Sequence, residues 1–194
     1  MYKPSFFVLC MVSVAILSGG CQSQPKTPEK ENLTSTEVLE RRQKIISMEE
    51  LALKKLYAEN PAAKAEIEAA KGYAVFAIDT VNALVVVGSK GKGLLTENKT
   101  RKQTYMLTVR AGTGPGLGYQ HLYQIFVFKS DSALAQFKVG DAAGGDVSAA
   151  ATLGTASKQY SFNPYITVYQ VSDKGFAVQA NWGGTAYFVD PNLN

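Results

Sequence analysis

At residue 72 the chain changes its period. The segment 72–95, GYAVFAIDTVNALVVVGSKGKGLL, abandons the spaced apolar stripe of the region before it and sets short aliphatic runs between glycines. Val75, Phe76 and Ile78 form one run. Leu84 to Val87 form a second, continuous enough to read as a strand covered on both faces. Between them Asp79-Thr80-Val81-Asn82 reads as a turn, and Lys90-Gly91-Lys92-Gly93 reads as another. A chain with this segment must build a sheet, and the rest of the sequence continues the same style.

Residues 97–102 read as a charged hairpin tip and 104–111 as a β-branched and aromatic strand. Residues 112–118, GTGPGLG, place glycine at every second position, so one face of that strand would carry no side chains. Pro115 within it points to an edge, a bend or a bulge. Residues 119–128, YQHLYQIFVF, are the strongest single strand. Ser130-Asp131 opens a short helix over 132–138, with Leu134 and Phe137 inward. Residues 140–145 read as a loop, and 147–153 are ambiguous between strand and helix. Strands follow at 165–171, 176–181 and 185–189, separated by a turn at 172–175 and by Gly183-Gly184.

Ahead of the sheet, Thr34-x-x-Glu37 fits a capping box. Val38, Ile45, Ala52 and Leu56 then form an apolar stripe, broadened by Ile46, Met48, Leu51 and Leu53. Acids and bases alternate around it with little net excess. Such a helix either packs on its own domain or rests on a membrane surface. Asn60-Pro61 restarts the helix as cap and first residue, and Gly72 reads as its C-cap. The fold class is therefore α+β: a twisted, mostly antiparallel sheet or partial β-barrel with N-terminal helices packed against it.

The N-terminus reads as an export signal. Lys3 precedes an apolar run at 6–17, shorter than the ~20 residues a bilayer span needs. The run ends in Leu-Ser-Gly-Gly-Cys21, a lipobox pattern that predicts cleavage before Cys21 and acylation of its thiol. The organisation is then 1–20 signal peptide, 21–33 polar tether, 34–71 helical segment and 72–194 β-rich domain. Cys10 leaves with the signal, so no free thiol and no disulfide is expected. Gln22 after the cysteine favours the outer membrane, facing the periplasm, by similarity to Gram-negative lipoproteins.

Catalytic constellations are sparse. The single histidine, His121, lies inside a strand, and no G-x-S-x-G elbow accompanies it. Asp131, Asp141 and Asp146 do not match a calcium loop. The glycine–lysine segment 88–93 is not a phosphate loop, because it leads into a strand. A net charge of +4 without a concentrated basic stripe does not point to nucleic acid. No enzyme activity, metal or cofactor is expected. The basic residues Lys90, Lys92, Lys99, Arg101 and Lys102 fall in neighbouring turn segments and would form one cationic patch if those turns converge.

From about residue 69 onward the chain resembles the SYLF domain family of lipid-binding domains. The resemblance rests on ordered motifs: Gly72, Val75-Phe76-Ala77, the strand 84–87, Gly88-Ser89, and Gly91-Lys92-Gly93-Leu94-Leu95. It continues through the glycine-alternating strand, the apolar strand 124–128, the helix ending in Phe137, and Gly145-Asp146 followed by small residues. Ala77 stands where proline is usual, and Ser89 replaces one glycine of a pair. The resemblance implies a non-catalytic domain that binds anionic lipid headgroups. Lys90, Lys92, Arg101 and Lys102 are the implied headgroup residues, and Arg41 and Arg42 are secondary ones. The other reading is a protein-interaction module of the envelope, using Tyr160, Tyr165, Tyr169, Tyr187 and Trp182.

Overall fold

The computed structural model describes residues 29–138, 143–153 and 157–194, giving the backbone course alone over 143–153, 157–163 and 174–183. The predicted signal peptide, Cys21 and most of the tether lie outside the described residues. Helix α1 (Ser35–Glu59) and helix α2 (Ala62–Ala69) lead into β1 (Gly72–Glu97) and β2 (Gln103–Phe128). Helix α3 (Asp131–Lys138), β3 (Ala143–Leu153), β4 (Ser157–Asn163) and β5 (Ile166–Val189) complete the chain. The sheet order is β1-β2-β5-β3, β4 also pairs with β5, and all these pairings are antiparallel. The α+β expectation holds, with the N-terminal helices on the sheet.

Helix α1 begins as its capping box dictates. Thr34 Oγ1 accepts from the Glu37 N–H at 3.3 Å, and the Thr34 N–H donates to Glu37 Oε2 at 2.8 Å. Asn60 does not cap the second helix, contrary to expectation. It closes α1, donating its N–H to the Leu56 carbonyl at 2.7 Å, and Pro61 stands at the cap of α2. Gly72 likewise opens β1 rather than capping α2, because a Cβ there would fall 2.7 Å from the Thr96 carbonyl oxygen.

The strand boundaries differ most from the sequence reading. Neither 79–82 nor 90–93 is a turn. Both are extended within β1, which pairs with β2 from Gly72↔Phe128 to Thr96↔Gln103. The expected strands at 104–111 and 119–128 are likewise one β2, and those at 165–171, 176–181 and 185–189 are one β5. The ambiguous segment 147–153 is strand, and Gly145 belongs to it rather than to a loop. Ladder pairing with a continuous neighbour outweighs local turn chemistry.

A straight strand of 26 residues would run about 85 Å. β1 does not, because it doubles back on itself. Thr80 Oγ1 lies 2.8 Å from Ser89 Oγ. A Cβ on Gly91 would sit 2.4 Å from the Ala77 carbonyl oxygen, and one on Gly93 would sit 2.3 Å from the Phe76 ring. The bend falls at Leu84, whose φ is 60°, and at a register shift between Leu84 and Val86. On β2 the matching break holds Gly114 and Pro115, so the proline sits at a bulge, where its missing N–H breaks no ladder bond.

The doubled sheet alternates its side chains between two layers. Phe76, Leu95, Met106, Phe126, Phe128, Val168 and Tyr187 share one cluster, closed by Leu134 and Phe137 of α3. Val75, Tyr123, Ile125, Val127, Tyr169 and Val171 face Ala52 and Leu56 of α1 and Ala63 and Ile67 of α2. The N-terminal half of α1 covers Leu94, Tyr105 and Leu193 through Ile45. Leu51, expected on the apolar stripe, is exposed, and Glu49 occupies that stripe instead.

Candidate functional site

Doubling β1 and β2 creates two ends. One carries the 98–101 turn, α3 and the chain's last residues. The other is the bend. The predicted headgroup residues do not gather at either end. Lys90 and Lys92 are exposed in β1 between the bend and the turn, four and six residues past Val86, opposite Val109 and Leu107 of β2. Arg101 and Lys102 are exposed at the turn that joins β1 to β2. Along β2 that turn lies five residues from the Lys92 level and seven from the Lys90 level, about 17 to 23 Å. The four residues therefore do not form one patch.

Arg41 and Arg42 are held elsewhere. Arg41 pairs with Glu31 at 2.7 Å. Arg42 donates from Nε to the Leu193 carbonyl at 2.9 Å and lies 5.4 Å over the Tyr105 ring. It clasps the chain's last residues to α1. The tyrosines expected at a partner surface also divide. Tyr169 and Tyr187 are buried, Tyr165 is exposed, and Tyr160 and Trp182 lie where only the backbone is described.

Partway between the bend and the turn, Ala77, Asp79, Lys90, Gly91, Lys92, Leu107, Thr108 and Val109 line an open cleft of about 360 Å³. Its apolar atoms come from Ala77, Leu107 and Val109, and its cations from the two lysines. The Asp79 carboxylate accepts from Tyr119 Oη at 2.5 Å and contacts His121 Nδ1 at 2.8 Å. Burial alone would raise the Asp79 carboxyl. The bonds from Tyr119 and His121 and the nearby Lys90 charge outweigh it and hold Asp79 below its usual range. Asp79 is thus ionised and committed to its neighbours.

Three features escaped the sequence reading. The Asp79–Tyr119–His121 cluster required the β1–β2 register to become visible. Glu49 is buried on α1, accepting from Thr96 Oγ1 at 3.1 Å, and burial pushes its carboxyl up to about 7. Its signal was available, since it sits four residues after Ile45 and three before Ala52 on the buried stripe. The third is the bend itself, where Val81, Leu84, Val85, Val86, Leu117 and Tyr119 are exposed together, so the run 84–87, expected to be covered on both faces, buries only Val87. Among the described residues no group of three His, Cys, Asp or Glu side chains is placed to hold a metal ion, and no helix is long and apolar enough to cross a membrane.

No protein-family model matches the chain. The chain is similar to Beta cell expansion factor A of Aeromonas veronii, at 31% identity over 150 residues, or 77% of this chain and 57% of that protein. The chain thus spans little more than half the length of this relative.

Proposed function

We propose that this chain is a lipoprotein of the bacterial envelope, held in the outer membrane facing the periplasm by acylated Cys21. Its SYLF-like domain binds anionic lipid headgroups without catalysis. The observation that carries the reading is the pair of exposed lysines, Lys90 and Lys92, on a cleft with an apolar floor. A lysine near an anionic surface contributes on the order of 1 kcal/mol. Arg101 and Lys102 form a second, separate basic group that acts independently of the first.

Vesicle flotation tests this reading, using the mature residues 21–194 with Cys21→Ser so that neither an acyl chain nor the apolar signal segment contributes to binding. Binding to mixed phosphatidylcholine–phosphatidylglycerol vesicles exceeds binding to phosphatidylcholine alone. Lys90→Glu with Lys92→Glu abolishes most of that preference, and added salt weakens it. Equal binding to both vesicle types, or a preference untouched by the double reversal, overturns it. Burial of Tyr169 and Tyr187 removes two of the side chains on which a protein-partner surface would depend.

A further inference from the structure

We propose that the bend of the doubled β1–β2 hairpin enters the acyl-chain layer of a lipid bilayer. Leu84, Val85, Val86 and Leu117 are the inserted side chains. The proposal rests on the membrane-binding reading above and deepens it.

The bend is layered as a bilayer is. No charged residue occurs from Thr80 to Ser89 or from Ala111 to Gln120. At the extremity Leu84, Val85, Val86 and Leu117 are 59–71% exposed, an unusual cost for aliphatic side chains in water. Three residues back from Leu84, about 10 Å, Val81 pairs with Tyr119, an amphipathic ring of the kind found at membrane interfaces. Four residues beyond Val86, about 13 Å, comes Lys90, then Lys92. Half a hydrocarbon core is about 15 Å deep. An apolar cap of this height, then tyrosine, then lysine, matches acyl layer, interface and headgroup in order.

The backbone suits the same environment. A segment entering lipid must satisfy its own polar groups. Here β2, which carries Leu117, is paired on both sides, to β1 and to β5, up to the break at 114–115, while β1, which carries Leu84 to Val86, is the sheet's edge strand and pairs with β2 on one side. Pro115 occupies that break and has no N–H to leave open. Leu84 forms the bend through its backbone. It is exposed, and its φ of 60° lies in the left-handed region that a branched side chain enters at a cost of about 1–2 kcal/mol. Strain held at an exposed leucine points to use outside the fold. A protein interface would bring polar partners at its core edges. Among the described side chains the exposed ones at the extremity are aliphatic, with Thr113 beside them.

Depth-resolved fluorescence tests the proposal. The mature chain, residues 21–194 carrying Cys21→Ser, receives an environment-sensitive label at Leu84→Cys, or at Lys99→Cys on the opposite turn. On mixed phosphatidylcholine–phosphatidylglycerol vesicles the label at 84 shifts to the blue and is quenched by nitroxides placed on the acyl chains. The label at 99 stays aqueous. Leu84→Asp with Val85→Asp weakens vesicle binding by about tenfold or more, given the cost of an acid in hydrocarbon. Circular dichroism of that variant is unchanged, because both positions are exposed. An aqueous label at 84 on vesicles that the protein binds overturns insertion and leaves headgroup binding standing. A buried label on phosphatidylcholine and mixed vesicles alike upholds insertion and sinks the headgroup reading. If Leu84→Asp with Val85→Asp instead changes the sedimentation of the lipid-free protein, a second copy covers the bend and the proposal fails.

Discussion

A methyl group at Gly91 would meet the Ala77 carbonyl oxygen at 2.4 Å, and backbone cannot move aside as a side chain can. Gly88, three residues earlier in the same strand, would meet nothing within 4 Å. Gly91→Ala should therefore cost about 2 kcal/mol or more, while Gly88→Ala stays within about 0.5 kcal/mol. Urea denaturation of the two variants checks this, and equal midpoints would show that β1 is not folded on itself there. Glu49 is a second residue whose burial has a measurable consequence. Its folded carboxyl titrates near 7, against an ordinary value of 4.5, because desolvation outweighs the bonds from Thr96 and Tyr73. Between those values the folded state holds a proton that the unfolded state has released, so stability falls as pH rises through the window. The loss is complete above about pH 7 and amounts to roughly 3 kcal/mol. Glu49→Gln keeps the acceptor for Thr96 without the charge. It should raise the melting temperature clearly near pH 8 and little near pH 5; an equal change at both would show that Glu49 ionises without penalty.

Helix α1 was legible in the sequence because its signals are local: a capping box at one end and an apolar stripe along its length. α3 was legible for the same reason, with Ser130 Oγ accepting from the Ala133 N–H at 3.2 Å. The strands were legible as strand material but not as elements. Asp79 to Asn82 has turn composition, yet β2 runs alongside and supplies its partners, so the segment stays extended. The real bend, at Leu84, carries aliphatic residues that no turn rule selects. What folds the strand in half is not local, and the lysines of 90–93 consequently lie on a strand rather than at a tip. Arg42 shows the same limit on a helix. By sequence it is one base among several on a solvated face. In the fold it binds the Leu193 carbonyl and the Tyr105 ring, with Leu193 buried beneath α1. Arg42→Ala should lower stability by about 1–2 kcal/mol. Arg41→Ala, which breaks only a partly exposed pair with Glu31, should cost under about 1 kcal/mol. Thermal melts of both variants, read beside vesicle binding, separate a clasp from a headgroup contact; an Arg42→Ala protein of unchanged stability would return Arg42 to the lipid-facing set.

Across the whole molecule, the predicted anchor and the apolar bend bear on one another through distance. Glu31 N–H donates to Asn192 Oδ1 at 2.7 Å, so the tether meets the domain beside the end of β5. Val189 there pairs with Met106, which pairs with Gly93, seven residues of strand past Val86. The bend is therefore about 23 Å beyond the level where the tether joins. Ten residues separate Cys21 from Glu31 and reach at most about 35 Å. An acyl anchor at Cys21 and a bend inserted in the same leaflet are thus compatible only when most of the tether runs alongside the sheet. Deleting residues 23–29 leaves three residue steps between Cys21 and Lys30–Glu31, with a reach near 10 Å. In the acylated protein reconstituted into single vesicles, a label at Leu84→Cys should then pass from dry to wet, while the anchored fraction stays the same. If the label in the shortened protein is dry only when vesicles are crowded together, the bend meets a facing membrane and the domain spans a gap between two. If it remains dry on isolated vesicles, the tether does not limit the bend, and the domain lies flat enough for both to reach one surface.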